Sequence, residues 1–106
     1  MRILLDENVP VDLAGLLGRH DIESVSSLGW SGVTNGELLR RMQGRFEALV
    51  TMDKRLPHQQ NLATCTFGVV LLEAPSNRMV HLQPLASEIR AALEGLPPGE
   101  LRRVGA

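Results

Sequence analysis

The sequence predicts an α/β protein, a three-layer α/β/α sandwich around a mostly parallel sheet. Short apolar segments with the length of buried strands alternate with segments whose leucines recur at helical spacing. Two of the apolar segments run directly into an aspartate, at Asp6 and Asp53. Because the carboxyl ends of parallel strands border the crevice where such proteins bind ligands, the same pattern also predicts a functional site.

Five segments have the character of β-strands. The first, at residues 2–5, is apolar and short, and the second, at residues 21–25, alternates with the period of a half-buried strand. Residues 48–51 and 68–72 are continuous apolar runs, as expected of strands buried on both faces. The last segment, at about 100–104, carries arginines, which suit an exposed edge strand.

Helices are predicted between these strands. Asn8 is placed to cap the first one, with Pro10 in its first turn. The second helix occupies residues 34–44 and ends at a glycine. The third opens at residue 76 or 77 and carries apolar side chains along one face. These side chains are Leu82, Leu85, Ile89 and Leu93.

The remaining stretches, residues 26–36 and 54–64, are polar and interrupted by glycine or proline, which predicts loops. No internal repeat or linker divides the chain. A length of 106 residues therefore predicts a single domain, with its core in residues 1–94 and the edge strand following it.

Composition limits the classes of function. A hydrophobic content of 43%, a charged content of 22% and a net charge of −1 are typical of a soluble globular protein. No apolar run has the length of a membrane span, and the single Cys65 favours the reducing cytoplasm. The chain has 3% aromatic residues and almost no net charge, so binding of nucleic acid would require a local basic patch.

The acidic strand ends are the sharpest chemical signal. Asp6 is followed by Glu7 and Asn8, and Asp53 follows the third strand. Aspartate is common after strands as a turn residue, and this structural interpretation stays open at each position. Two such strand ends side by side would bring like charges together, which is unfavourable unless a proton is shared or a cation neutralises them.

Glu37 is the third candidate acid, near the start of the second helix. It also completes a capping box with Thr34, and the two roles do not exclude each other. Three carboxylates suit Mg²⁺ or Mn²⁺, which can activate water and stabilise charge on a phosphoryl group. Lys54, the only lysine, could contact that phosphate. The candidate metal ligands are Asp6, Glu7, Glu37 and Asp53, with Asn8 and Asn35 as possible supporting residues.

Three segments together resemble a known family. Residues 4–8, 36–39 and 50–54, in this order and in a chain of this size, are similar to compact bacterial PIN-like proteins, which relate to VapC-type toxin ribonucleases. The resemblance runs from residue 1 to about residue 93. It implies a PIN-like sandwich whose acidic, Mg²⁺- or Mn²⁺-dependent site cleaves RNA phosphodiesters, and a cognate antitoxin protein as partner if the protein is a toxin.

The resemblance also implies roles for individual residues and exposes two departures. Asn35 lies where such proteins often carry a helix aspartate, and Arg55 lies where a further aspartate is frequent after the third strand. Fewer carboxylates predict weaker metal binding. The candidate catalytic residues are Asp6, Glu37, Asp53 and Lys54.

Two other functions remain open. One is a catalytically weak or inactive PIN-like module that acts in binding or dimerisation, for example as a homodimer. The other is a phosphoacceptor domain resembling response-regulator receivers, with Asp53 as the acceptor. Receivers also need a Ser or Thr after the fourth strand and a lysine after the fifth, whereas here Glu73 ends the fourth strand and no lysine follows Lys54.

Overall fold

One sheet of five strands organises the protein. The structure is a computed structural model that describes residues 1–105. All strand pairs are parallel, so the sheet predicted to be mostly parallel is parallel throughout. The strands are β1 (Arg2–Leu5), β2 (Asp21–Ser24), β3 (Ala48–Thr51), β4 (Gly68–Glu73) and β5 (Leu101–Gly105).

Helices connect the strands. The α-helices are α1 (Asn35–Met42), α2 (Leu56–Gln59), α3 (Met79–Leu82) and α4 (Ala86–Leu93). Short 3-10 helices occupy Val11–Leu16, Leu62–Thr64 and Gln83–Leu85.

The helices cover both faces of the sheet. Leu5 and Val50 pack in one apolar cluster with side chains of α3 and α4. Leu4 and Leu49, their neighbours along the chain, belong to a second cluster with side chains of α1 and α2. This alternation follows from the two-residue period of a strand, because successive side chains point to opposite faces. The predicted three-layer α/β/α sandwich is confirmed.

The strand order switches sides between β1 and β3, and the region beyond the carboxyl ends of these two strands is called the crevice. The sheet runs β2-β1-β3-β4-β5, so the chain first moves from β1 to one side and then crosses back to continue on the other. Leu5 pairs with Val50 in this register, and the Asp6 amide donates to the Val50 carbonyl at 2.9 Å. The residues that follow both strands therefore emerge side by side where the strand order reverses, which is the position where open α/β sheets bind ligands.

Three local predictions were wrong. Asn8 caps no helix, because the following helix is a 3-10 helix with Pro10 at its N-cap position. The predicted loop at residues 54–64 contains α2 and a 3-10 turn. The last predicted helix is divided into α3, a 3-10 turn and α4, because Pro84 lacks the amide hydrogen that a continuous α-helix requires.

Within residues 1–105, no helix has both the length and the apolar character needed to cross a membrane.

Candidate functional site

Asp6 is buried at the carboxyl end of β1, with only 6% of its surface exposed. The Thr51 hydroxyl donates to its Oδ2 at 2.7 Å, and the Glu7 amide donates to its Oδ1 at 2.8 Å. Within the described residues, no lysine, arginine or histidine forms an ion pair with this carboxylate. Asp6 is therefore held rigidly by neutral donors, while its negative charge has no cationic partner.

Burial raises the pKa of the Asp6 carboxyl above its ordinary value. The hydrogen bonds from Thr51 and the Glu7 amide lower this pKa in part, and the negative charges of Glu7 and Asp53 raise it further. The acidic residues of the crevice thus act on one another electrostatically. A bound cation would relieve this repulsion and favour the ionised carboxyl.

Thr51, the last residue of β3, links the two aspartates. Its side chain is fully buried, and its hydroxyl donates to Asp6 while accepting from the Asp53 amide at 3.1 Å. The result is a continuous chain of hydrogen bonds from Asp6 through Thr51 to the backbone of Asp53. Sequence reasoning missed this residue. The available signal was a polar residue at the end of an otherwise apolar strand, two positions before an aspartate.

Asp53 has a different environment from Asp6. The Asn35 amide group donates to its Oδ2 at 3.0 Å, and Arg55 donates to its Oδ1 from the backbone at 2.9 Å and from Nε at 3.2 Å. The hydrogen bond from the Arg55 side chain is the main cause that lowers the pKa of Asp53, against the opposing effect of burial. The crevice therefore contains one carboxyl that holds its proton more tightly than usual and one that releases it more readily.

Two amides fix the loops around the aspartates. The Asn8 side-chain oxygen accepts from the Met52 amide at 3.1 Å, which joins the loop after β1 to the loop after β3. Asn35, at the first position of α1, brings the start of that helix to Asp53. The two amides predicted to support the site thus both lie at the crevice. Asn8 acts as a tie between loops.

Glu37 is engaged on the surface of α1. Its amide donates to the Thr34 hydroxyl at 3.2 Å, which forms one half of the predicted capping box. Its carboxylate pairs with Arg40 and with Arg41, the latter at 3.0 Å, and the hydrogen bond from Arg41 is the main cause that lowers its pKa. The arginines therefore take the place of the Thr34 amide, the partner that the second half of a capping box requires.

The other charged candidates lie at the rim. The Glu7 carboxylate accepts from the Gly32 amide at 3.2 Å, which ties it to the loop before α1. Lys54 is exposed beside Asp53, and within residues 1–105 its ammonium forms no ion pair. It is free to meet an anionic ligand.

The described part of the chain contains no group of three or more histidine, cysteine or acidic residues arranged to hold a metal ion. The structure therefore does not bring the carboxylates of Asp6, Glu37 and Asp53 together as the predicted metal site of three acids. A smaller set remains, since Mg²⁺ often binds through one or two carboxylates and keeps several waters. The carboxylates of Asp6 and Asp53 have the oxygen chemistry for such a hydrated ion.

Comparisons with models of protein families, with curated proteins and with solved structures found no significant match.

Proposed function

We propose that this protein is a Mg²⁺- or Mn²⁺-dependent ribonuclease that hydrolyses RNA phosphodiesters at the crevice between β1 and β3. The observation that carries the proposal is the chain of hydrogen bonds from Asp6 through Thr51 to Asp53. It joins the Asp6 carboxyl to the backbone of Asp53, and these two acids have opposite pKa shifts at the position where open α/β sheets bind ligands. Groups with perturbed pKa values that share a crevice are typical of functional sites.

In this proposal, each residue of the crevice has a separate role in hydrolysis. Asp6 and Asp53 would hold the ion, and Thr51 keeps the Asp6 carboxylate in one orientation. The bound ion supplies activation of water and neutralisation of charge on the phosphoryl group. Lys54, exposed at the rim, would pair with a phosphate of the substrate backbone.

The nature of the polymer and the partner rests on the resemblance to PIN-like proteins. That resemblance implies RNA as the substrate and, for the toxin of a toxin–antitoxin pair, a cognate antitoxin protein that holds the enzyme inactive in the cytoplasm. Glu37 keeps its candidate role only if its carboxylate leaves Arg40 and Arg41. The proposal therefore centres on the two aspartates.

A PIN-like binding or dimerisation module without activity is the second candidate. Two features favour it: the described residues contain no group of three acids arranged to hold a metal ion, and Asp53 pairs with Arg55. Calorimetric titration with Mn²⁺ separates the two functions. A site that binds Mn²⁺ and loses it in Asp53→Asn supports the enzyme, and the absence of any binding supports the module.

A receiver-like phosphoacceptor is a weaker third candidate. Its support is the strand order, which some phosphoacceptor proteins share, together with acids after β1 and β3. Fold similarity alone cannot assign this function, and the chain has no lysine besides Lys54. Labelling of Asp53 by acetyl phosphate would establish it.

The direct test is cleavage of RNA by the purified protein in the presence of Mn²⁺. Asp6→Asn and Asp53→Asn should each reduce the rate by about 100-fold or more, because changing even an outer partner of a metal ligand typically costs about 10- to 100-fold. Asp21→Asn is the matched control, because Asp21 is an exposed aspartate at the start of β2, whereas the candidate site lies at the carboxyl ends of the parallel strands. Unchanged cleavage in both crevice variants would exclude the assignment.

A further inference from the structure

Arg55 covers the carboxylate of Asp53 from three directions. Its backbone amide and Nε donate to Oδ1 at 2.9 Å and 3.2 Å, and its Nη2 donates to Oδ2 at 3.4 Å. Both oxygens of Asp53 therefore already face a guanidinium. Within residues 1–105, Arg55 is the one basic side chain that pairs with either crevice aspartate.

The two partners differ in how firmly they are held. The Asp53 side chain is 14% exposed and is also fixed by Asn35, whereas the Arg55 side chain is 76% exposed. Exposed ion pairs are weak, because the entropy of a long side chain and the screening by water offset the attraction. The guanidinium can therefore leave Asp53 while the carboxylate stays in place.

A guanidinium that leaves Asp53 suits one other partner in particular. Its planar fork of N–H donors matches a phosphate group as well as it matches a carboxylate. Arg55 projects from the same short segment as Lys54, between β3 and α2. Both basic side chains thus stand at the rim of the crevice where a phosphodiester would approach the aspartates.

We propose that Arg55 is a positioning residue with two alternating partners: it neutralises Asp53 in the free protein and moves to a substrate phosphate when a divalent cation takes its place on Asp53. This inference rests on the proposed function. Arg55 weakens metal binding in the absence of a phosphate, because it competes for the same oxygens. It also couples the two ligands, since each favours the state in which Arg55 has left Asp53.

The test is calorimetric titration of the full chain with Mn²⁺, alone and with a short single-stranded oligodeoxynucleotide as the phosphate probe. Arg55→Gln should bind Mn²⁺ alone on the order of 5-fold more tightly than wild type, the lower end of typical coupling between sites. The oligonucleotide should tighten Mn²⁺ binding to wild type and have no such effect on Arg55→Gln. Arg55→Lys, which keeps the charge and loses the fork, should fall between them.

Arg103→Gln is the matched control, because it removes an exposed arginine that pairs with Glu73 at 3.0 Å on the far edge of the sheet. It should behave as wild type in both titrations. If Asp53→Asn abolishes Mn²⁺ binding while Arg55→Gln binds Mn²⁺ as wild type does, the inference is overturned and the proposed function stands. If neither wild type nor Arg55→Gln binds Mn²⁺, both the proposed function and this inference are wrong.

Discussion

Thr51 is the residue on which the geometry of the crevice depends most. One hydroxyl serves both aspartates, since it donates to Asp6 and accepts from the Asp53 amide. Thr51 is also fully buried, so bulk water cannot take over its hydrogen bonds if the hydroxyl is removed. The two partners would then be left without a hydrogen bond, which is unfavourable for buried polar groups. The hydroxyl therefore stabilises the fold and arranges the candidate site at the same time.

Thr51→Val removes this hydroxyl while nearly preserving the volume of the side chain. We expect the free energy of unfolding to fall by about 1–3 kcal/mol, because a buried carboxylate oxygen and a backbone amide lose their partner. Urea denaturation at neutral pH measures the loss. Thr51→Ser is the control, since it keeps the hydroxyl and gives up a methyl group. A valine variant as stable as the serine variant would show that the hydroxyl contributes little.

The opposite pKa shifts of the two aspartates predict opposite effects of pH on stability. Between the ordinary pKa and the raised pKa of Asp6, the folded state binds more protons than the unfolded state, so the contribution of Asp6 to stability falls as pH rises. The lowered pKa of Asp53 contributes stability that is present above the ordinary pKa and is lost as pH falls through the folded value.

Urea denaturation of Asp6→Asn, Asp53→Asn and wild type across acidic and neutral pH tests these signs. Relative to wild type, Asp6→Asn should gain stability as pH rises through the window above the ordinary carboxyl pKa. Asp53→Asn should be less stable than wild type at neutral pH, and this difference in stability should disappear as pH falls below that value. Parallel curves for both variants and wild type would mean that neither carboxyl is perturbed by folding.

At the scale of elements, α1 carries an acid, Glu37, that stabilises the helix and is distinct from the acids of the candidate site. Glu37 lies in the first turn of α1, and its carboxylate pairs with arginines one turn further along the helix. Such pairs at spacings of three and four residues stabilise exposed helices modestly. The side chain therefore has a complete structural role on the helix surface.

Glu37→Gln should leave the rate of RNA cleavage close to that of wild type and lower the melting temperature slightly, because the ion pairs with Arg40 and Arg41 are lost. Initial rates and thermal melts of the same preparation provide both values. A loss of cleavage as large as that of Asp6→Asn, with little change in melting temperature, would show that Glu37 takes part in catalysis.

Elements with strong local patterns were predictable from the sequence. β3 has the predicted bounds, since a continuous apolar run between polar residues is diagnostic of a buried parallel strand. α2 was missed because a single helical turn, Leu56–Gln59, is too short to show a helical period. The break in the last helix has a visible cause in Pro84, but the leucine spacing continues through it.

The candidate site was predictable to the extent that it follows from strand ends. Asp6 and Asp53 emerge side by side because they follow parallel neighbouring strands in register. The bond between Asn8 and the Met52 amide, and the pairing of Glu37 with arginines, depend on how loops and side chains pack in three dimensions. Such contacts leave no periodic trace in the sequence.

At the scale of the whole molecule, the site arises from the order of the strands. Alternating strands and helices predict a parallel sheet, yet they do not say which strands become neighbours. The switch of sides in the strand order between β1 and β3 brings together two chain segments that are 44 residues or more apart, as the hydrogen bonds from the Met52 amide to Asn8 and from Thr51 to Asp6 illustrate. We propose that this switch in strand order creates a site for a divalent cation.

A crystal of the protein soaked in Mn²⁺ tests this claim most directly, because the anomalous signal of the metal locates it without reference to activity. We expect one Mn²⁺ ion in the crevice, coordinated by carboxylate oxygens of both Asp6 and Asp53 and by several waters. A crevice that remains without metal at saturating Mn²⁺, with the Arg55 guanidinium still on Asp53, would contradict the account.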